Sequence, residues 1–325
     1  MLPPGPPSLP FIGSIPFVDK KRGWADVLMN ESLYKYDPNL CTVWVGSRPF
    51  IVIQNFALAK ELFSRDEFTG RTNSYHNRYV RGIEGECLGI VSTMGRFWQE
   101  QRRFTLKHLK DLGFGRRKLD TIIQDEAKYL IDDLLTKSNK GDVLIQSLFN
   151  FPIINILWQI IASKKYDPDL PESKSMMRKI SRLFYQGSTL INLLIQSPFL
   201  RSRLPQPEHE KEELDLKDLF RQQILEHEHE RKQEESPESR DFIDIYLREI
   251  EQRDETMDHT GDGKYSNFNI EQLVVICLDF FQAGSETSST TLSWAVMFLA
   301  LYTDVQEKCR NEIDLLLGGK FTWCI

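Results

Sequence analysis

The stretch Leu273-Val274-Val275-Ile276-Cys277-Leu278-Asp279-Phe280-Phe281-Gln282-Ala283-Gly284-Ser285-Glu286-Thr287 decides how the chain is read. From Leu273 to Ala283 it is apolar nearly all round, the pattern of a helix buried at the centre of a domain. It then runs into Gly284, Ser285, Glu286 and Thr287, followed by Ser288, Ser289, Thr290 and Thr291. These are poor residues for a buried helix interior. Gly costs roughly 1 kcal/mol there relative to Ala, and a buried carboxylate costs more unless it is paired or protonated. Two uses of the segment stand side by side. One is a local widening, where a water beside Thr287, with Glu286 behind it, relays protons. The other is close helix–helix packing through small residues.

Outward from this helix, apolar periodicity predicts helices over roughly 96–110, 117–138, 148–163, 172–187, 210–235, 240–252 and 269–315, with shorter ones over 24–36 and 56–63. Val- and Ile-rich runs near 41–46 and 50–54 read as two strands joined through Ser47-Arg48-Pro49. Residues 70–95, with five glycines and no periodicity, read as an irregular functional loop. Gly318-Gly319 stops the last helix. The fold class is therefore mainly α with a small β-sheet. The densely charged stretch 208–258 reads as a solvated helix face and a loop.

The 325 residues are 41% hydrophobic and 27% charged, the balance of a globular protein. A net charge of −6 argues against nucleic acid as a partner. The five cysteines are odd in number and have no CxxC spacing, which argues against a disulfide framework or a zinc site. His227 and His229, two apart in a Glu-rich helix, face different sides, so no metal-ligating set is read from the sequence. No apolar run approaches the ~18 residues that cross a membrane, and no signal peptide opens the chain. Prolines at 3, 4, 6, 7 and 10 make the first residues an extended strap, suited to a hinge between an anchor and a domain.

Trp98 and Arg102 lie four apart on one helix and share a face. An indole N–H and a planar guanidinium fork together suit an anionic group on a flat apolar ligand, although helix-surface pairs of this kind are common. Residues 96–118 hold eight basic side chains against Glu100 and Asp111, a patch that either steers an acidic partner or is simply a solvated face. The apolar connection Leu190 to Leu200 is either buried or dips into a membrane surface.

In order, the Pro-rich hinge at 3–13, Trp-x-x-x-Arg at 98–102 and Ala-Gly-x-Glu-Thr at 283–287 resemble the N-terminal two-thirds of an animal microsomal cytochrome P450, a haem-thiolate monooxygenase. The texts at 97–104 and 305–313 are also similar to this family. The resemblance implies a P450 fold and the insertion of one oxygen atom of O2 into a lipophilic small molecule. It implies an NADPH-dependent flavoprotein reductase as partner and a place on the cytoplasmic face of the endoplasmic reticulum membrane. It assigns Trp98 and Arg102 to a haem propionate, Ala283 and Gly284 to the haem face, and Glu286 and Thr287 to proton delivery. The loop 70–95 and the stretch 184–200 would line the substrate cavity, and the basic helix would face the reductase.

The family's axial ligand lies in a Phe-x-x-Gly-x-x-x-Cys-x-Gly loop, which these residues do not contain, and neither the Glu-x-x-Arg helix nor an anchor before the hinge is found. The expectation is a C-terminally truncated P450 that is catalytically incompetent. It is divided into a hinge (1–15), a partial P450 domain (16–317) and an atypical tail (318–325). The alternative is a non-catalytic helical protein that competes for the reductase or a membrane surface.

Overall fold

A computed structural model describes residues 2–17, 33, 35–72, 75–83, 85–113, 117–145, 148–168, 170–182, 203, 206–234, 240–256 and 267–318. The expected helix over 24–36 (apart from Leu33, Lys35 and Tyr36), the apolar stretch 190–200, Cys324 and the last residues of the tail fall outside them. The chain forms two compact units.

The first unit comprises Met1–Tyr75 and Gly187–Pro205. Strands β1 (Leu40–Val45) and β2 (Arg48–Ile53) pair antiparallel, with Val45 opposite Arg48, so the turn is Gly46-Ser47. Arg48 and Pro49, expected in the connection, belong to β2 instead. Cys41 and Val43 of β1 are buried with Leu33. The Pro-rich strap lies against β1 through backbone bonds. The Thr42 amide donates to the Pro4 carbonyl at 3.0 Å and Thr42 Oγ1 to Pro3 at 2.7 Å. Ser14 Oγ donates to Pro6 at 3.3 Å and accepts from the Trp44 amide at 3.2 Å. Proline carbonyls, which keep their acceptor capacity, supply these bonds. Helix α1 (Phe56–Phe63) starts where Asn55 accepts from the Leu58 amide at 3.0 Å, a side-chain N-cap.

The second unit comprises His76–Gln186 and Gln206–Ile325. It opens with the short helix α2 (Tyr75–Val80) and a hairpin of two-residue strands, β3 (Gly82–Ile83) and β4 (Glu86–Cys87). The stretch 70–95 is thus more ordered than its sequence predicts. Among the described residues eight helices follow: α3 (Gly95–Asp111), α4 (Arg117–Ser138), α5 (Asn150–Ala162), α6 (Pro171–Arg182), α7 (Glu208–Glu234), α8 (Phe242–Thr256), α9 (Ile270–Leu301) and α10 (Thr303–Leu317).

Helix α9 is the axis of this unit. Asn269 caps it by accepting from the Gln272 amide at 2.8 Å. Its 32 residues extend for about 48 Å at 1.5 Å per residue. Leu273 to Leu278 and Phe281 are buried against α5 and α7. Trp158 of α5, fully buried, stacks between Phe281 (4.7 Å) and Phe220 of α7 (5.3 Å). A second aromatic group joins Phe104 of α3 to Tyr246 of α8 (5.4 Å) and Phe268 (5.0 Å). Leu216, Phe220 and Ile224 form a buried stripe at i, i+4, i+8 on α7. The charged stretch 208–258 is therefore not merely a solvated face: its charges flank a core-facing stripe.

The predicted single helix over 269–315 is two. Tyr302, at φ −113° and ψ 77°, breaks it, and α10 restarts with Asp304 in its first turn. Gly318 ends α10 in the left-handed conformation, as the Gly-Gly pair predicts. Beyond the buried segment of α9, Leu292, Trp294, Phe298 and Leu301 are exposed. No described helix is long and apolar enough to cross a membrane.

Candidate functional site

Trp98 and Arg102 are brought together on α3. The Arg102 guanidinium lies 5.5 Å from the Trp98 ring centroid, a cation–π contact at i, i+4. The adjacent face of α3 turns inward. Gln101, fully buried, donates to the Asn267 carbonyl at 2.6 Å and accepts from the Tyr246 hydroxyl at 2.9 Å. Glu100 binds Arg253 at 2.8 Å and Asn267 at 2.8 Å. The helix is thereby held on α8 while Trp98 stays half-buried and Arg102 exposed. Arg96, Arg103, Lys107 and Lys110 are exposed on the same helix.

The segment 283–287 is split across the faces of α9. Ser285 and Ser289 point inward: Ser285 Oγ donates to the Phe281 carbonyl at 2.6 Å, and Ser289 bonds Asn150 of α5. Gly284 turns toward α5, where a Cβ would sit 3.2 Å from a Leu157 methyl. Ala283 and Thr287 share an exposed face, and Thr287 Oγ1 donates to the Ala283 carbonyl at 2.6 Å. Glu286 is half-buried and accepts from Thr290 at 3.3 Å. Of the two uses left open by the sequence, the widening does not form. The helix stays α throughout, and its hydroxyls satisfy carbonyls one turn back. Among the described residues no bond or ring contact joins the Trp98–Arg102 pair to this segment.

The sequence reading missed a buried polar staple one turn before Ala283. Asp279 accepts the backbone N–H of Ile90 at 2.6 Å and of Val91 at 3.0 Å, and pairs with Arg81. Arg81 also binds Glu213 of α7 at 2.9 Å and reaches Gln282. Gln272 brackets Gly89, accepting from its N–H at 3.0 Å and donating to its carbonyl at 3.2 Å. Gly89 sits at φ +85°, and a Cβ there would lie 2.5 Å from the Asp279 carboxylate. Only glycine fits. Burial works against the Arg81 charge, but Asp279 and Glu213 outweigh it and hold the guanidinium pKa above its usual value. Asp279, Ala283 and Thr287 follow at i, i+4, i+8, so the loop lies along the same stripe of α9. The signal was present: Asp279 is the one acid in the apolar run.

A third cluster lies between α7 and α8. His227 Nε2 is 3.0 Å from Asp244 and 3.2 Å from Asp241. Its neighbour His229 is exposed and bonds Gln233, so the two histidines do face apart as their spacing predicts. Burial favours the neutral ring, but the two carboxylates outweigh it and raise the His227 pKa to about 9. Burial likewise pushes Asp244 up, but His227 and Arg240 bring it down to about 2. Because the folded His227 value exceeds the ordinary 6.5, its contribution, on the order of 3 kcal/mol, is complete below that pH and lost as pH rises through about 9. The Asp244 contribution runs the other way and is lost as pH falls toward about 2. Urea unfolding midpoints between pH 6 and 10 should therefore fall on the alkaline side, and His227→Gln should flatten that fall.

A helical unit built on one long buried helix, with small antiparallel sheets, an exposed Ala–Thr face and a Trp–Arg clamp, defines the class. The family model for cytochrome P450 matches residues 3–324, and this chain belongs to that family. It is 31% identical to cytochrome P450 2J2 of Homo sapiens over 97% of this chain and 60% of that protein. It is 30% identical to farnesoate epoxidase of Bombyx mori, over 97% and 62%, and 29% identical to cytochrome P450 2L1 of Panulirus argus, over 96% and 62%. The chain thus spans about three-fifths of these relatives' length.

The family implies haem, and the residues fit part of it. Arg102 makes no ion pair among the described residues, leaving its fork available to a carboxylate, and Ala283 with Thr287 leaves an open, shallow face. The described cysteines do not fit the iron. Cys41 is buried in β1, and burial raises the half-buried Cys87 thiol. Burial pushes the Cys277 thiol far up, and Cys309 is exposed on α10. A thiolate ligand needs the opposite, a depressed pKa.

Proposed function

We propose that this chain forms the distal wall and propionate clamp of a haem monooxygenase that inserts one oxygen atom of O2 into a lipophilic small molecule. It would work at the cytoplasmic face of the endoplasmic reticulum membrane with an NADPH-dependent flavoprotein reductase. The observation that carries this reading is the exposed Ala283–Thr287 face, where the buried first half of α9 gives way to its exposed second half, with the Asp279-held loop along the same stripe. Bound haem with a sulfur ligand supplies the oxygen chemistry.

The chain's own residues have separable tasks. Arg102 neutralises a propionate, and the Trp98 indole N–H donates to it. Ala283 is small enough to admit a flat ring against α9. The Thr287 hydroxyl keeps its proton on the Ala283 carbonyl and turns outward to hand it to a reacting oxygen. Glu286, a neighbour with no direct bond to Thr287, resupplies that proton through water. The loop held by Asp279 keeps bulk water from this side. Cys41, Cys87, Cys277 and Cys309 suit no axial thiolate, so on this reading the described residues by themselves would not turn over substrate. The runner-up, competition for the reductase without haem, draws on the exposed cations Arg96, Arg102, Arg103, Lys107 and Lys110.

Titration with haemin and with its dimethyl ester tests the clamp. Arg102→Leu should weaken haemin binding about tenfold, one charge-assisted pair, and leave the ester unchanged. Equal losses for both would sink the assignment. With reduced iron and CO, the chain should show no thiolate-type absorbance band, and such a band at one haem per chain would overturn the inactivity. Salt-sensitive reductase binding without haem uptake would favour the runner-up.

A further inference from the structure

We propose that His227, Asp241 and Asp244 form a binding site for a divalent transition metal of the zinc class, stapling α7 to the start of α8. The three side chains are 1–2% exposed, and one donor atom from each lies within 4.8 Å of the others. A single ring nitrogen, His227 Nε2, faces two carboxylate oxygens at 3.0 and 3.2 Å. One N–H must be shared between them, which weakens each bond. Asp241 Oδ2 is buried with no hydrogen-bond partner, while its Oδ1 caps α8 by accepting from the Asp244 amide at 3.0 Å. Both oddities disappear if a cation sits among the donors: Nε2 and each carboxylate bind it, and the orphan oxygen becomes a second ligand atom of Asp241. The two nitrogen–oxygen separations, 3.0 and 3.2 Å, approach the ~3.3 Å edge of a tetrahedron with metal–ligand bonds of ~2.0 Å.

The donor set selects the ion. One imidazole and two carboxylates suit zinc or cobalt. Calcium takes six to eight oxygens, and magnesium keeps several waters, neither of which a buried three-residue set provides. Without metal, a proton on Nε2 fills the same place, so ion and proton compete. Arg240 donates to Asp244 Oδ2 at 3.2 Å and orients that carboxylate, and its side chain is one-third exposed. Among the described residues the Arg231–Glu251 pair also joins α7 to α8, and the neutral Cys277 thiol of α9 is raised first by burial and then by the Asp241 charge.

Zinc chloride added to the chelator-treated 325-residue chain should bind at one ion per chain and raise the thermal midpoint. Asp241→Asn keeps an oxygen for the α8 cap and should weaken binding at least about tenfold, and His227→Gln should abolish it. Failure to retain one zinc, or retention unchanged in Asp241→Asn, overturns the site. Cobalt(II) absorption of the unmutated chain decides even if both variants misfold: an intense low-coordinate spectrum supports the site, and a pale octahedral one refutes it.

Discussion

Asp279→Ala should cost the second unit about 3–5 kcal/mol, a large part of a typical domain's stability. The loss has named parts. The Ile90 and Val91 amides lose their acceptor, and Arg81, 4% exposed, keeps only Glu213 against its charge. The two amides are only partly buried, so each costs less than the ~1–3 kcal/mol of a fully buried orphan donor, and the half-broken buried ion pair supplies most of the loss. Asp279→Asn retains an acceptor oxygen and should lose roughly half as much. Urea unfolding gives the magnitudes. Limited proteolysis gives the mechanism, because the backbone at 81–93 should become cleavable in Asp279→Ala before global unfolding. A loss under about 1 kcal/mol with the loop still protected would show that Gln272 alone fastens it.

What the sequence made legible follows from interactions that are short in the chain. The β1–β2 hairpin, the helix from Phe56, the Trp98–Arg102 pair and the stop at Gly318 each depend on residues within a few positions of one another. The central place of α9 was legible because an all-round apolar run has nowhere else to go. Contacts across elements were not. Asp279 answers to Arg81, 198 positions away, and His227 to residues 14 and 17 positions on. Two-residue strands such as Gly82–Ile83 and Glu86–Cys87 carry no periodicity to detect. The break at Tyr302 lacks Gly or Pro, and only the acid in the next first turn marks a new helix start. Thr287 and Glu286 were singled out as a hydroxyl and an acid out of place in a buried helix, and again by family text, whereas their split across exposed and half-buried faces is a property of the fold. Gly284 shows the two original readings dividing one motif: it packs on α5, while Ala283 and Thr287 stay open.

Trp158→Ala should be comparably damaging, at about 3–5 kcal/mol for a large buried aromatic. The indole fills the space between Phe281 of α9, Phe220 of α7 and Tyr166, all within 5.3 Å, and the cavity left behind would border three elements at once. Its removal should also let α9 shift, because the neighbouring contact, Gly284 against Leu157, is too slight to fix the helix by itself. Gly284→Ala is the matching control. A methyl there meets flexible Leu157 carbons at 3.2–3.3 Å, a modest squeeze. Against it stands a helix-propensity gain of up to ~1 kcal/mol, so the net change should lie within about 1 kcal/mol of zero. A large loss in Gly284→Ala beside a small one in Trp158→Ala would reverse the argument, making the glycine rather than the indole the element that seats α9, and with it the Ala283–Thr287 face.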